Sequence, residues 1–255
     1  MQLADTHTHL YLQEFDDDRD EMIQRALASG VVKLLMPNID IHSTDTMLDI
    51  ASKYKGTCYP MIGLHPTSVK EDYLSQLESL EGISAENKFI AVGEIGIDLY
   101  WDKTYIKEQM EAFRRQVNFA IRSTLPVVIH SRESFPEIFS VLDDFNGPGL
   151  KGVFHAFSGT IKDAEKAVSM GFKIGIGGPL TFKNSGLGKI AEEIGIENII
   201  LETDSPYLAP VPYRGKRNES SYICIINKRL AEILNMTEEE TASVTFENSC
   251  RLFNI

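Results

Sequence analysis

The sequence contains few of the residues on which several classes of protein depend. Its three cysteines, Cys58, Cys224 and Cys250, are far apart and show no C-x-x-C spacing, which excludes a disulfide scaffold and predicts free thiols. No apolar run approaches the roughly 18 residues of a membrane span, and the first residues carry no basic segment typical of a signal peptide. Since 43% of the 255 residues are hydrophobic and 24% are charged, as in ordinary globular chains, we expect a globular protein of the cytoplasm.

Positive charge is also scarce, because 25 lysines and arginines face 37 aspartates and glutamates and leave a net charge of −12. Non-specific binding to nucleic acid draws most of its affinity from a basic surface. The charge balance therefore argues against a protein that coats DNA or RNA. An anionic substrate would require a local source of positive charge, either a basic loop or bound cations.

Eight short apolar runs rich in β-branched residues recur at an average spacing of about 28 residues. They begin near Gln2, Val31, Cys58, Lys88, Pro126, Lys151, Phe172 and Asn198. This spacing is the length of a strand followed by a crossover helix. The runs are apolar on both faces, as expected for parallel strands that helices cover.

Helical periodicity fills the intervals between the runs. The stretch 22–27 places its apolar residues on one face and stops at Gly30, and a longer helix is predicted over 104–123. Near the end of the chain, a helix is predicted over 222–234, and a capping box at 237–240 indicates the start of another.

Eight strand–helix units without a linker predict a single α/β domain over 1–255, folded as a (β/α)8 barrel of the TIM type. The alternative is a doubly wound open sheet with an inserted segment. We favour the barrel because Thr-His-Thr-His, and not a glycine-rich phosphate loop, follows the first run.

Five of the eight runs end in side chains that can bind a metal ion. In the first run, Asp5, His7 and His9 alternate with threonines and therefore share one face. The other four runs end in Glu94, His130, His155 and Asp204. Because the carboxyl ends of all barrel strands meet at one mouth, these residues would become neighbours. Four imidazoles and two carboxylates suffice for two divalent ions.

Each of these residues alone also has an ordinary structural explanation. A histidine at a strand end often serves as a hydrogen-bonding residue of the core, and Glu94 or Asp204 could cap a helix or pair with a basic side chain. However, four of the six histidines fall at the same end of apolar runs. A buried polar set of this size is costly unless a metal or a network satisfies it, so we favour metal binding.

Six segments follow, in order, the motifs of a known family. They are 5–10 (DTHTHL), 63–66 (GLHP), 93–98 (GEIGID), 126–132 (PVVIHSR), 154–159 (FHAFSG) and 201–208 (LETDSPYL). On these motifs the chain resembles the TatD family of metal-dependent deoxyribonucleases, within the amidohydrolase-like superfamily, over nearly its whole length. Tyr11, Ser134, Pro136 and Ser220 depart from the residues usual in the family, but none of them is an expected ligand.

The resemblance implies a distorted barrel that binds two divalent metal ions, such as Zn, Mg or Mn. The implied ligands are His7, His9 and Asp204 for one ion, His130 and His155 for the other, and Glu94 as the bridge. The implied activity is hydrolysis of phosphodiester bonds in DNA, from 3′ to 5′ on single strands. The expected partner is therefore DNA with single-stranded ends.

The chemistry of such a site would give catalytic roles to Glu94 and Asp204. Bound cations ease the deprotonation of a nearby water, and Asp204, at the rim, is the candidate to take that proton and deliver it to the leaving group. By strand alternation, Asp5 lies on the same inward face as His9, and Glu202 on the same inward face as Asp204. We therefore expect Asp5 and Glu202 to orient these ligands. Plain structural hydrogen bonding is the alternative for both.

Two candidates for binding the substrate lie at the ends of runs. His65 is followed by Pro66, which keeps it out of a helix, and it could donate to a phosphate or stabilise its loop. Arg132, two residues past His130, could likewise contact a phosphate or stabilise its loop. His42 is expected to be exposed and inert.

The segment 205–220 provides two more substrate candidates, Arg214 and Lys216, with Arg217 close by. These cations could contact the backbone of a single DNA strand, while its bases stack on the rings of Tyr207 and Tyr213. A solvated surface loop is the alternative. Tyr100 and Trp101 are a second possible stacking pair, although we expect them to pack in the core.

Two rival functions remain open from the sequence. A cyclic amide, lactone or phosphotriester hydrolase would keep the site and change the bond that is cleaved. Many such barrels bridge their metals with a modified lysine where this chain has Glu94, which favours the nuclease by analogy only. The other rival is not an enzyme but a metal-bound scaffold whose loops bind a partner.

Overall fold

The structure, a computed structural model, describes residues 1–145 and 149–255, in which eight strands alternate with α-helices. The strands are β1 (Leu3–Asp5), β2 (Val31–Met36), β3 (Cys58–Pro60), β4 (Val92–Asp98), β5 (Val127–Arg132), β6 (Gly152–Phe154), β7 (Phe172–Ile176) and β8 (Ile199–Leu201). The helices are α1 (Arg19–Ala28), α2 (Thr44–Lys53), α3 (Tyr73–Glu86), α4 (Ile106–Ser123), α5 (Phe135–Leu142), α6 (Ile161–Ser169), α7 (Leu187–Ile194), α8 (Ile223–Leu234) and α9 (Glu238–Phe253).

The strands close into a ring through two seams. They form parallel sheets in the orders β1–β2–β3 and β4–β5–β6–β7–β8. Isolated bridges join Ile62 to Val92 beside β3 and β4, and Thr8 to Ser205 just beyond β1 and β8. Because the strand order runs once around the ring in sequence order, the fold is the predicted (β/α)8 barrel, distorted at the seams. The doubly wound alternative is wrong.

The helices begin and end close to the predicted positions. α1 ends just before Gly30, whose φ of 88° lies in the left-handed region that favours glycine. The Thr237 hydroxyl accepts from the backbone N–H of Glu240 at 3.2 Å, and this completes the predicted capping box at the start of α9. No helix in the two described ranges is both long and apolar enough to cross a membrane.

An apolar layer lies beneath the functional end of the barrel. Val128, Val153 and Ile200, from β5, β6 and β8, form one buried cluster with Leu252 and Phe253 of α9. α9 thus packs against the ends of the strands away from the mouth. His130, His155 and Glu202 each lie two positions after one of these three strand residues. The polar residues of the mouth therefore lie directly above an apolar layer.

Candidate metal centre

Beyond β1 the chain continues as an extended segment that carries two histidines to the mouth. Regular strand pairing ends at Asp5, earlier than predicted. The bridge to Ser205 and a 2.7 Å hydrogen bond between the hydroxyls of Thr8 and Ser205 keep the segment beside the end of β8. Because Thr8 faces this neighbour, the flanking His7 and His9 turn toward the mouth, where both are buried.

The carboxylate of Glu94, on β4, lies at the centre of the site. Its Oε2 is 3.0 Å from Nε2 of His7 and 3.8 Å from Nε2 of His9. Its Oε1 is 2.8 Å from His130 Nδ1 and 3.2 Å from Nε2 of both His65 and His155. Five of the six histidines of the chain therefore converge on one buried carboxylate.

Asp204 provides the second carboxylate, from the segment that follows β8. It adopts a left-handed φ of 58°, and its N–H donates to the carbonyl of His7 at 2.9 Å. This turn brings its Oδ1 to 3.5 Å from His9 Nε2 and 3.9 Å from His7 Nε2. Its side chain is 14% exposed against 3% for Glu94, so Asp204 is the carboxylate of the two that water reaches more readily.

The tautomer of His9 is fixed by a tyrosine hydroxyl. The Tyr11 hydroxyl donates to the carbonyl of Pro37 at 2.6 Å and lies 2.9 Å from His9 Nδ1. Because the tyrosine proton is used on Pro37, Tyr11 accepts from His9 Nδ1–H. The lone pair of His9 then sits on Nε2, which faces Glu94 and Asp204, as a metal ligand requires.

His65 has the opposite tautomer. Its Nδ1 accepts from the backbone N–H of Thr67 at 3.2 Å and lies 2.7 Å from the Thr67 hydroxyl. Its proton is therefore on Nε2, which points at Glu94 Oε1. Burial lowers the pKa of His65, so the ring is a neutral hydrogen-bond donor near pH 7. This state fits the predicted contact with a phosphate better than a ligand role.

The two predicted orienting carboxylates behave differently. Oε1 of Glu202 accepts from the N–H of Ala156 and lies 3.3 Å from His155 Nδ1, which turns Nε2 of that ring toward the site. Among the residues that the structure describes, Asp5 contacts no imidazole nitrogen. It accepts from the N–H and hydroxyl of Thr203 at 2.8 and 2.6 Å and from the backbone N–H of His7 at 3.4 Å. Asp5 thus joins the ends of β1 and β8 instead of orienting a ring.

Asp98, the last residue of β4, completes the site and was not among the predicted site residues. Its Oδ2 lies 2.9 Å from His130 Nε2, so both nitrogens of that ring face carboxylates. Strand alternation places Glu94, Gly96 and Asp98 in one phase, which was the available signal. A side chain at Gly96 would collide with the carbonyl of His130, so only glycine lets β4 and β5 approach here.

The electrostatics of the site demand positive charge. Burial would raise the pKa of Glu94, but the surrounding histidines hold that pKa well below its usual value. Burial would likewise lower the pKa of His155, but Glu94 and Glu202 raise it well above its usual value. Burial and the neighbouring His155 lower the pKa of His7 to about 4, so this ring is neutral near pH 7. The carboxylates thus attract cationic partners, whether protons or metal ions.

The residues present fit divalent cations. Three groups of side chains place ligand atoms within 4.8 Å of one another in the described parts of the chain: His7, His155 and Asp204; His7, His9 and Glu94; and His65, Glu94 and His130. Within the same residues, Nδ1 of His7 and Oε2 of Glu202 are buried without a hydrogen-bond partner. Imidazole with carboxylate is a donor set that suits Zn, Mn and related ions.

Arg132 lies at the mouth but does not enter the site. Its guanidinium lies 3.8 Å from the centroid of the Tyr100 ring and 5.3 Å from that of Trp101. The prediction that these two rings pack in the core is wrong, because Tyr100 is 50% and Trp101 69% exposed. The reason is local, since the backbone N–H groups of both residues donate to Asp98 Oδ1 at 2.9 and 3.1 Å and turn the chain outward.

The basic residues of 205–220 divide into two kinds. Arg214 and Lys216 are exposed, as a contact with a polyanion requires. Arg217 bonds both carboxylate oxygens of Asp18 at 2.6 and 2.7 Å and so anchors the segment at the start of α1.

The two tyrosines of the same segment also differ. Tyr207 is 48% exposed, and its ring centroid lies 6.1 Å from that of His9. Tyr213 stacks on Tyr222 with centroids 4.2 Å apart and planes within 6°. Tyr207 is therefore the tyrosine of this segment that is placed to meet a ligand. His42 is exposed, as predicted.

A family model described as TatD related DNase matches residues 4–254. The chain belongs to the TatD family. Among its TatD relatives, YabD of Bacillus subtilis strain 168 is 36% identical over 254 residues and covers 99% of both chains. YjjV of Escherichia coli K12 is 30% identical over 254 residues, covering 98% of this chain and 97% of its own. Both relatives bear the name of uncharacterized metal-dependent hydrolase.

Solved structures agree with the TatD assignment. The crystal structure of the TatD homologue YjjV matches with a TM-score of 0.93 and covers 99% of this chain and 98% of its own. A TatD-family hydrolase from Entamoeba histolytica, 24% identical, has the same fold, with a TM-score of 0.84 over 99% of this chain and 98% of its own.

Proposed function

We propose that this TatD-family protein is a metal-dependent hydrolase that removes nucleotides from the 3′ ends of single-stranded DNA. The observation that carries the proposal is the convergence of two carboxylates, Glu94 and Asp204, with five imidazoles at one barrel mouth. The description of the family model as a DNase and the names of the relatives support it.

The cofactor in this proposal is a pair of divalent cations. His7, His9 and Asp204 would hold one cation, His130 and His155 the other, with Glu94 between them. When bound, the cations would attract the phosphate and lower the pKa of an adjacent water. They would also supply positive charge beside Glu94 and Asp204, in a chain whose net charge is −12.

The chain's own residues would bind the substrate and move the proton. Asp204 is the more exposed of the two carboxylates, so its carboxylate would accept the proton of the attacking water and return it to the leaving sugar oxygen. Nε2–H of His65 would donate to a phosphate oxygen. Arg214 and Lys216 would contact the backbone of the strand beyond the scissile bond.

The test uses single-stranded DNA labelled at either end. Chelator-treated protein should be inactive, and added Mn²⁺, Mg²⁺ or Zn²⁺ should restore release of labelled mononucleotide from the 3′ end. Glu94→Gln should lower the rate by at least about 100-fold, because one neutral amide cannot replace a shared carboxylate. Glu86→Gln, an exposed change at the end of α3, is the matched control.

Two results would overturn the proposal. Inertness toward DNA with every metal, combined with turnover of a small lactone, amide or phosphotriester, would assign the site to another substrate. Cleavage that persists in chelator would remove the metal from the reaction.

A further inference from the structure

The mouth carries an aromatic surface that the proposed chemistry does not use. Trp101, the single tryptophan of the chain, is 69% exposed, and Tyr100 beside it is 50% exposed. Their rings meet edge to face with centroids 5.0 Å apart. Large aromatic side chains are seldom left in water to this extent, and exposed apolar groups that cluster mark binding surfaces.

Arg132 gives this surface a positive charge. Its guanidinium lies over the Tyr100 ring at 3.8 Å and near Trp101 at 5.3 Å, within the range of a cation–π contact. In the two described ranges Arg132 forms no ion pair with a carboxylate. An exposed indole ring beside a guanidinium without an ion pair suits a ligand that has a planar ring and an anionic group.

One carboxylate connects this surface to the metal centre. Asp98 accepts from the backbone N–H groups of Tyr100 and Trp101 through Oδ1, and its Oδ2 holds His130 Nε2 at 2.9 Å. Arg132 follows His130 by two residues on β5, a distance of roughly 7 Å along a strand. The aromatic surface therefore lies about the length of one nucleotide away from the predicted metal ligands.

The opposite side of the mouth also presents an aromatic ring. In an eight-stranded ring β4 and β8 are four strands apart and so face each other across the mouth. Tyr100 and Trp101 follow β4, whereas Tyr207, 48% exposed, follows β8. A strand crossing the mouth with a phosphate over Glu94 would thus meet a π surface on each side.

We propose that Tyr100, Trp101 and Arg132 form a stacking platform for an unpaired nucleobase adjacent to the phosphate that is cleaved. The proposal rests on the proposed function for its choice of ligand. The base stacks on the indole of Trp101, and the guanidinium contacts the neighbouring phosphate. A base pair inside a duplex is stacked on both faces and cannot present either one to the indole, so the platform favours unpaired bases over interior duplex bases.

Tryptophan fluorescence tests the platform without requiring turnover. Because Trp101 is the single tryptophan, its emission reports on the platform directly. In stopped-flow mixing with metal-loaded protein, oligothymidylate should quench the emission before hydrolysis. The same oligomer with abasic residues at its last two 3′ positions should quench it far less. Equal quenching by both, or none by either, would overturn the proposal.

Kinetics on variants provide the second readout. Trp101→Ala should raise KM for single-stranded DNA by about 5- to 100-fold, the range expected for one lost stacking contact, while kcat changes little. Trp101→Phe, which keeps a ring, should recover most of this loss. Leu74→Ala, on α3, removes another exposed apolar side chain, 47% exposed, and should have no effect.

A double comparison separates the base from the backbone. Abasic 3′ residues should raise KM for the wild type but not raise it further for Trp101→Ala. Additive effects would contradict the platform. Base-dependent quenching without any DNA hydrolysis would support the platform and contradict the proposed cleavage of DNA. Hydrolysis at the 3′ end with an unchanged KM in Trp101→Ala would support that cleavage and contradict the platform.

Discussion

Tyr11→Phe isolates the contribution of one hydroxyl to the metal centre. In the wild type this hydroxyl donates to Pro37 at 2.6 Å and accepts from His9 Nδ1 at 2.9 Å. Phenylalanine fills the same buried space but leaves the N–H of His9 and the carbonyl of Pro37 without partners. Freed from Tyr11, the ring of His9 can turn or change tautomer, and its Nε2 lone pair no longer points permanently at the site.

The magnitude follows from general costs of such changes. Losing a group that orients a ligand lowers metal affinity by about 10- to 100-fold, and each unsatisfied buried polar group costs about 1–3 kcal/mol of stability. We therefore expect Tyr11→Phe to bind Zn²⁺ or Mn²⁺ about 10- to 100-fold more weakly in competition with a chromogenic chelator. Because two such groups are left without partners, its free energy of unfolding should fall by about 2–6 kcal/mol in urea.

Tyr59→Phe is the matched control, because that hydroxyl donates to Gly56 at 2.9 Å outside the mouth. It should lose some stability and no metal affinity. A Tyr11→Phe protein that unfolds more easily yet binds metal as tightly as the wild type would refute the assignment of the His9 tautomer.

Three further predictions concern the rest of the molecule. Replacing Arg214 and Lys216 by Ala should weaken binding of single-stranded DNA and flatten its dependence on salt, and unchanged affinity at low salt would exclude this loop from the interface. The hydrogen bonds from Arg217 hold the pKa of Asp18 below its usual value, so the pair adds stability above the unfolded pKa of about 3.9 and loses it as pH falls below that value. Asp18→Asn should lower the free energy of unfolding by about 1 kcal/mol at pH 7 and by progressively less in acid, and a difference that does not vary with pH would contradict this. Burial raises the pKa of the Cys58 thiol to about 12, so Cys58 should react with a thiol reagent at pH 8 only after denaturation, and rapid reaction of the native protein at this residue would contradict its burial.

The sequence predicted those features that depend on periodicity and on the ends of strands. Because strand ends meet at one mouth, the sequence alone could assign five predicted metal ligands to one site although they are up to 197 residues apart. These ligands are His7, Glu94, His130, His155 and Asp204. The barrel followed from the recurrence of strand and helix, and the two seams did not, because they depend on the local course of individual strands.

The features that the sequence did not predict depend on how individual loops turn. The outward turn of Tyr100 and Trp101 follows from two hydrogen bonds to Asp98, which no hydrophobic pattern reports. The pairing of Arg217 with Asp18 joins residues 199 positions apart. The proton position on the imidazole of His65 depends on its contacts with Thr67, which follow from the local fold.

The most direct test of the metal centre is the number of divalent ions bound per chain. Protein reconstituted with Mn²⁺ or Zn²⁺ and freed of excess metal should retain two equivalents by elemental analysis, and Glu94→Gln should retain no more than one. Retention of no metal by the wild type, or of two equivalents by Glu94→Gln, would contradict a site in which this carboxylate is shared between two cations.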